Sequence, residues 1–402
     1  MSVMQFENSS YEMLCPILNK IMGGNKEKKA CFLLTHVPNP RINKRIEVFK
    51  NNLNTTVICT RRSSQNIWEP TQDVEHIIFN IDLPTAKHMV KRCYKSRDFQ
   101  KRAQVKLEEI KPDVIYAEGL DSLIIAGKYK KNKNVKIFFE VADLRENYIV
   151  KPRKFLEKII TGILLRKEKK IFKNVDYLIV TSPKFYDIHY KELIPKERIL
   201  FIPNTPGVNV FKNYKKKKNG IFTVGFIGGI RYLKQMKMLV DVANELGCNV
   251  LFAGAGITSC EYDEIRAYCK GMQNIIFTGK YNFNTEIAGL YSKIDCVYSV
   301  YDADNPNVRI ALPNKLYESI ECELPIVVAK GTYLAELVEK YGVGVSVSHK
   351  DKSELASVLR HMKDSIKYRE SFAEKCREYK RNNVDKGSES ALISVATKGN
   401  EL

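Results

Sequence analysis

Two α/β domains, each a doubly wound, Rossmann-like parallel sheet and both facing a central cleft, are what this 402-residue sequence predicts. Three observations carry the prediction. Short apolar runs of strand type alternate with longer amphipathic segments over nearly the whole chain, the pattern of strand–helix–strand crossovers in parallel sheets. The alternation breaks once, at Asn213–Gly220, where four consecutive lysines end in Asn-Gly between two apolar runs; such a stretch reads as a solvated linker. The length, at about 150 residues per domain, suits two cores.

The elements follow in chain order. Residues 1–28 form a helical extension, with Leu14, Ile17, Leu18, Ile21 and Met22 at helical spacing before Gly23-Gly24. Residues 29–212 form the first domain, with strands expected at Ala30–Thr35, Val57–Cys59, Val114–Ala117, Lys136–Glu140, Tyr177–Thr181 and Ile199–Ile202. Residues 213–220 are the linker. Residues 221–375 form the second domain, with strands expected at Ile221–Ile227, Asn249–Ala253, Ile275–Thr278, Cys296–Val300, Pro325–Ala329 and Gly344–Val347. Lys44–Asn52 and Gln235–Leu246 repeat apolar residues at three- and four-residue steps, as covering helices do. Residues 376–402 are a C-terminal helix or tail. Their end, Lys386–Leu402, is rich in Ser and Gly and reads as either a helix docking back on the first domain or a frayed tail.

Composition excludes several classes of function. Hydrophobic residues at 44% and charged residues at 28% are the mix of a globular protein, not of a disordered or fibrous one. No apolar run approaches the roughly 20 residues of a membrane span. The N-terminus carries Glu7 and Glu12 without a basic leader, so a secretory signal is not expected and the chain is read as cytoplasmic. Ten cysteines with no C-x-x-C pair suit buried, reduced thiols better than a disulfide frame or a zinc site.

Lys+Arg of 66 against Asp+Glu of 46 gives a net charge of +20, which favours anionic partners. The lysines are dispersed, and no helix-turn-helix, zinc-finger, RRM or KH pattern occurs, so nucleic acid is not the expected partner. Lys151–Lys173 is basic and amphipathic, with Phe155, Ile159, Ile160, Ile163 and Leu164 as its apolar stripe. It suits either an anionic membrane surface or ordinary packing.

The chemistry concentrates in Asn305–Ala329. Pro313 and Asn314 mark a helix start, since Asn is a strong N-cap. From there Asn314, Lys315 and Glu318 share one side of the first turns. Helix N-terminal amides with the Lys315 ammonium suit a diphosphate, and Glu318 suits the two hydroxyls of a ribose. The plainer alternative is a surface Lys–Glu pair worth ~0.3 kcal/mol.

Pro313, Lys315 and Glu318, followed by Pro325-Ile326-Val327, resemble the Pro-x-Lys-x-x-Glu helix and following strand of the GT-B glycosyltransferases, specifically the retaining family 4 group. The resemblance runs from about Leu33 to Val347. It takes in PNPRINKRIEVF, KPDVIYAEGLDS, VDYLIVTS and ILFIPNTPGVNVF in the first half, then VGFIGGIRYLKQMKMLVDVA and NVLFAGAGI in the second. It implies a transferase that moves a hexose-like sugar, with retention and without a metal, from a nucleoside-diphosphate donor (UDP or GDP) that serves as substrate, not cofactor.

The acceptor implied is a growing glycan or a polyprenyl-linked saccharide. The product class is cell-surface polysaccharide, such as capsule, O-antigen or exopolysaccharide, made at the inner membrane face. On this resemblance Glu318 binds the donor ribose, while Arg231 and Lys234 neutralise the diphosphate beside Gly228 and Gly229. Asn314 and Lys315 complete the donor site, Tyr281 stacks on the base, and Asn39, Arg41, Glu118 and Asp143 lie on the acceptor side.

The sequence departs from the family at three places. Ile310 stands where the first Glu of an E-x7-E pair is usual, and Gly229 where an Arg follows the phosphate-loop glycine. Glu140-Val141-Ala142-Asp143 lacks the family's histidine. Asn305, Asn307 and Arg309 are candidates for the vacated roles. Asp302-Ala303-Asp304 spells a D-x-D metal motif but reads as a polar loop, and Gly254-Ala255-Gly256 as a strand-end turn. His36 ends the first strand and is read as a polar strand-end residue. Two further readings remain open: a nucleotide-sugar epimerase of the same fold, and a non-catalytic sugar-nucleotide-binding or membrane-associated protein.

Overall fold

The computed structural model describes residues 28–61, 69–83, 89–131, 133–144, 149, 155–207, 209–256, 259–383 and 388–398. Residues 1–27 of the N-terminal extension and part of the basic Lys151–Lys173 segment therefore lie outside the described residues. The chain forms two compact units, one of residues 1–140, 168–178 and 389–402, the other of residues 141–167 and 179–388.

The first sheet has seven strands: β1 Lys29–Leu34, β2 Asn54–Thr60, β3 Glu75–Phe79, β4 Val114–Glu118, β5 Lys136–Val141, β6 Tyr177–Val180 and β7 Ile199–Phe201. Their order is β3-β2-β1-β4-β5-β6-β7. β1 pairs in parallel with β2 on one side and β4 on the other, so the winding reverses between β1 and β4. Ala30–Leu34 and Val114–Ala117 are buried on both faces, which is why these strands read as unbroken apolar runs. Phe32 stacks on Tyr116 with ring centroids 4.6 Å apart, and Phe49 from the helix Pro40–Lys50 meets both edge-on.

The second sheet has six strands: β8 Thr223–Ile227, β9 Asn249–Ala253, β10 Ile275–Gly279, β11 Cys296–Ser299, β12 Ile326–Ala329 and β13 Gly344–Val347, in the order β10-β9-β8-β11-β12-β13. The winding reverses between β8 and β11, both parallel. The helix Leu233–Leu246 turns Met236, Leu239, Val240, Ala243 and Leu246 onto this sheet and stops at left-handed Gly247. In doubly wound sheets the reversal point, at the carboxyl ends of the strands, is where ligands bind.

All twelve expected strands form. β3 was not foreseen: it is a half-buried edge strand whose apolar signal shrinks to Ile77, Ile78 and Phe79. Residues 213–220 are less free than a solvated linker. Lys217 N donates to Ser292 O, and Asp295 accepts from Lys216 Nζ and Asn219 Nδ2, tying the segment to the second sheet. At the other end of the chain, the helix Ser388–Thr397 is held by ion pairs of Arg45 and Lys44 with Glu389 and by Lys28 Nζ on Thr397 O.

Eight cysteines whose side chains are described are free thiols, and seven of these are buried. Burial pushes the Cys59 and Cys376 thiols up to about 12, so they pack as small hydrophobes.

Candidate functional site

The chain leaves β8 through Gly228-Gly229-Ile230-Arg231-Tyr232, at the reversal point of the second sheet. Gly228 N donates to Ala253 O and Ile230 N to Ala255 O, which locks this loop against the one after β9. The approach is close enough that a Cβ on Gly254 would lie 2.0 Å from Gly228 O, and Gly254 has φ +133°. Gly254-Ala255-Gly256 is thus a strand-end turn whose first glycine the packing requires. Buried Ile230 anchors the loop. Tyr232 then takes a left-handed conformation (φ 64°, ψ 56°) as it enters the next helix without a side-chain cap. For a tyrosine this costs about 1–3 kcal/mol, a strain typical of functional loops.

Lys315 reaches this loop from the helix Lys315–Glu321. Its side chain is buried, at 8% exposure. Nζ lies 2.7 Å from where a Cβ on Gly228 would stand, and Gly228 has φ +141°, so the glycine lets the ammonium sit directly against the backbone. The charge rests over the Phe226 ring (4.7 Å to the centroid) and near the Tyr301 ring (5.7 Å). Among the described residues no carboxylate lies within ion-pair distance of it. An unpaired buried ammonium is costly unless an anion arrives.

Arg231 projects from the loop with its guanidinium over two rings, Tyr232 (5.1 Å) and Tyr301 (5.6 Å), and likewise has no carboxylate partner among the described residues. One helical turn beyond Lys315, Glu318 is 3% exposed and accepts a 2.6 Å hydrogen bond from the Tyr291 hydroxyl. Burial raises its carboxyl above the ordinary range, in spite of that hydrogen bond and of Lys315. Burial also raises the Tyr281 phenol, with Glu318 and Tyr301 close enough to add to the shift. Gly228, Arg231, Lys315, Glu318 and Tyr281 therefore gather at one end of the second sheet, where two cations without an ion pair among the described residues meet a buried acceptor and an aromatic ring.

Other expected residues sit differently. Gly229 is an exposed turn residue, and Lys234 is exposed on the first turn of Leu233–Leu246 without a polar partner among the described residues. Asn314 is not a capping side chain: its backbone is already helical, and its Oδ1 accepts from Asn204 Nδ2. The helix it opens has seven residues.

Tyr301 and Tyr291 were missed. Tyr291 lies 27 residues before its partner Glu318, a pairing no local pattern reveals. Tyr301 directly follows an apolar strand, and that position was the only signal available.

In the first unit, Glu118 closes β4 and Glu140 lies in β5 beside it, and Arg41 pairs with both carboxylates. Tyr116 donates to Glu140, and His36 Nε2 lies 3.3 Å from Glu118 Oε2. Although burial opposes ionisation, Arg41 and His36 hold the Glu118 carboxyl well below the usual range. Asn39 caps the helix Pro40–Lys50 by accepting from Ile42 N.

In the second unit, exposed Asp143 accepts from Asn307 Nδ2 at 3.1 Å. Asn305 caps the short helix Pro306–Ile310, and Arg309 Nε donates to Ala303 O. Asp302, Asp304 and His349 bring one ligand atom each within 4.8 Å of one another. There His349 lies between the two carboxylates, and Lys350 pairs with Asp304 at 2.5 Å.

Residues 221–364, which contain the whole second-unit site, match the family described as Glycosyl transferases group 1. The chain is 24% identical over 264 residues to the succinoglycan biosynthesis protein ExoL of Rhizobium meliloti (strain 1021), a match covering 62% of this chain. It spans 64% of that relative's own length. Among solved structures, sucrose-phosphate synthase from Thermosynechococcus elongatus superposes with a TM-score of 0.69 at 13% identity, covering 92% of this chain and 100% of that one. Anabaena Alr3699/HepE in complex with UDP superposes with a TM-score of 0.64 at 15% identity, covering 91% and 98%. The fold is GT-B.

Proposed function

From a GT-B chain whose residues 221–364 match the family described as Glycosyl transferases group 1, we propose a glycosyltransferase that moves a sugar from a nucleoside-diphosphate donor to a growing glycan or lipid-linked saccharide in polysaccharide biosynthesis. The observation that carries this reading is the Lys315 ammonium, buried against Gly228 with no carboxylate partner among the described residues. A diphosphate is the anion that such a site suits, and the UDP complex of Anabaena HepE makes UDP the first donor to test.

Glu318, an acceptor-only carboxylate when ionised, suits the two ribose hydroxyls. The Tyr281 ring suits the base. As the bond from the sugar C1 to the phosphate oxygen breaks, negative charge grows on the departing diphosphate, and Lys315 and Arg231 are placed to stabilise it. The acceptor oxygen bonds to C1, and its proton passes to the departing phosphate oxygen on the face from which that group leaves. The outcome is retention of configuration. Because the two cations supply positive charge at the diphosphate, the reaction proceeds without a divalent metal.

The helix Phe155–Phe172 exposes Ile159 (44%) and Ile163 (47%), one turn apart, beside exposed Lys158, Arg166 and Lys167. We infer from this face a peripheral contact with anionic lipid. Vesicles containing anionic lipid should retain the protein in flotation and neutral vesicles should not; equal retention by both removes the contact.

The test of the reaction is product analysis. UDP- or GDP-sugar with a lipid-linked saccharide should release nucleotide only when acceptor is present, give a product of unchanged anomeric configuration by NMR, and withstand EDTA. A new sugar epimer from donor alone would favour the epimerase. Donor binding without turnover on any acceptor would favour a non-catalytic protein.

A further inference from the structure

Cations that bind phosphate must be held in place without being neutralised. A carboxylate partner orients a guanidinium but cancels the charge that the ligand needs. An aromatic face orients it through the ring quadrupole and leaves the net charge intact. In the second unit the latter arrangement recurs, and one ring is common to both cations. Arg231 Cζ lies 5.6 Å from the Tyr301 centroid and Lys315 Nζ lies 5.7 Å from it. Tyr301 is 6% exposed and wedged between Tyr232 (centroids 5.2 Å apart) and Phe226 (6.3 Å), so its ring is fixed by packing.

The geometry also accounts for a departure in the sequence. The family's arginine directly after the phosphate-loop glycine is Gly229 here, so Arg231 enters two residues late. The left-handed turn at Tyr232 brings the Tyr232 ring under the displaced guanidinium, next to Tyr301.

We propose that Tyr301 is a positioning residue for donor binding: its ring holds Arg231 and Lys315 together, still charged, for the donor diphosphate. The inference rests on the donor-site reading above and adds to it how the cations are supported. Tyr301 acts through Arg231 and Lys315 and is not itself a catalytic residue.

A second consequence follows from the hydroxyl. Burial pushes the phenol up, but the Lys315 and Arg231 charges beside it bring it to a net position below its ordinary value. The other phenols facing it, Tyr232 and Tyr281, are both raised by burial. Of the three, Tyr301 is the one whose ionised form the neighbouring cations favour. Its phenolate then competes with the diphosphate for the same two cations.

The test compares UDP and GDP with uridine and guanosine by calorimetry or ligand-observed NMR, on wild type, Tyr301→Leu and Tyr301→Phe. Removing the ring should weaken the diphosphate roughly 10- to 50-fold while leaving nucleoside affinity within about twofold, the range of losing one or two cation–π supports. Tyr301→Phe keeps the ring and should recover most of that loss. It should also show a shallower alkaline decline of affinity than wild type, since base ionisation is the same in both proteins and cancels from the comparison.

A Tyr301→Leu variant that weakens nucleoside and diphosphate alike, or a Tyr301→Phe variant no better than Leu, overturns the positioning role. Wild type that binds neither diphosphate overturns the donor-site reading and this inference with it. Wild type that binds, with a Leu variant that keeps the full diphosphate contribution, overturns this inference alone.

Discussion

Lys315→Met should slow glycosyl transfer by roughly 10²–10³-fold and raise the melting temperature. The two effects have one cause. In the folded protein the ammonium is buried over Phe226 and against Gly228 without a carboxylate among the described residues, so folding bears a desolvation cost that no ion pair offsets. Methionine matches the shape and packs on the same rings through its thioether. Relieving the buried charge should stabilise the fold by about 1–3 kcal/mol. On the functional side, removing one donor aimed at developing charge typically costs ~10²–10³ in turnover. Thermal unfolding and a nucleotide-release assay on the same preparation read both effects. A variant that loses activity because it unfolds would show the opposite thermal shift, and would make Lys315 a structural residue.

Glu318→Gln should act in the same double sense, with a pH signature. The carboxyl is held above its ordinary value in the folded state, chiefly by burial. The folded protein therefore favours the protonated form. Its contribution to stability is fully present below the unfolded value of about 4.3 and is lost as pH rises through the raised folded value. Glutamine is neutral at every pH and can still accept from Tyr291. The variant should be more stable than wild type near neutrality, with the gap closing as the solution is acidified.

Donor binding should move the other way. An ionised acceptor holds ribose hydroxyls more tightly than a neutral one, and charge-assisted hydrogen bonds contribute about 1.5–3 kcal/mol. Glu318→Gln should therefore lose roughly 10- to 100-fold in affinity. Wild-type affinity should also fall as pH drops through the raised value. Urea melts and titrations at several pH values check both slopes. Wild-type-like rates in Glu318→Gln would remove the residue from the site.

How much of this was readable in the sequence depended on the range of the interactions involved. Strands such as Ala30–Leu34 and Val224–Ile227 are buried on both faces, so burial alone writes them as apolar runs. β3 lies at an edge, exposes part of itself, and left too weak a pattern. Lys315 and Glu318 stand three apart on one short helix and were legible as a pair, because local spacing fixes their relation. Arg231 was legible as a candidate but its placement was not, since that depends on the left-handed turn at Tyr232 and on Tyr301, a ring seventy positions away.

The start of the Lys315–Glu321 helix was legible in Pro313-Asn314, but its seven-residue length was not. In the first unit, Arg41 and Glu118 were foreseen individually. Their mutual pairing, with Glu140 as third member, comes from the register that lays β4 beside β5 and places Glu118 opposite Glu140.

The central claim is that the end of the second sheet holds a nucleoside diphosphate on Lys315. Its most direct test is calorimetric titration of UDP and GDP into wild type and Lys315→Met. One of the two nucleotides should bind wild type in the micromolar range and lose at least tenfold in the variant, while the matching nucleoside binds both proteins equally. Failure of both nucleotides to bind wild type at millimolar concentration, or equal binding by the variant, would contradict the claim.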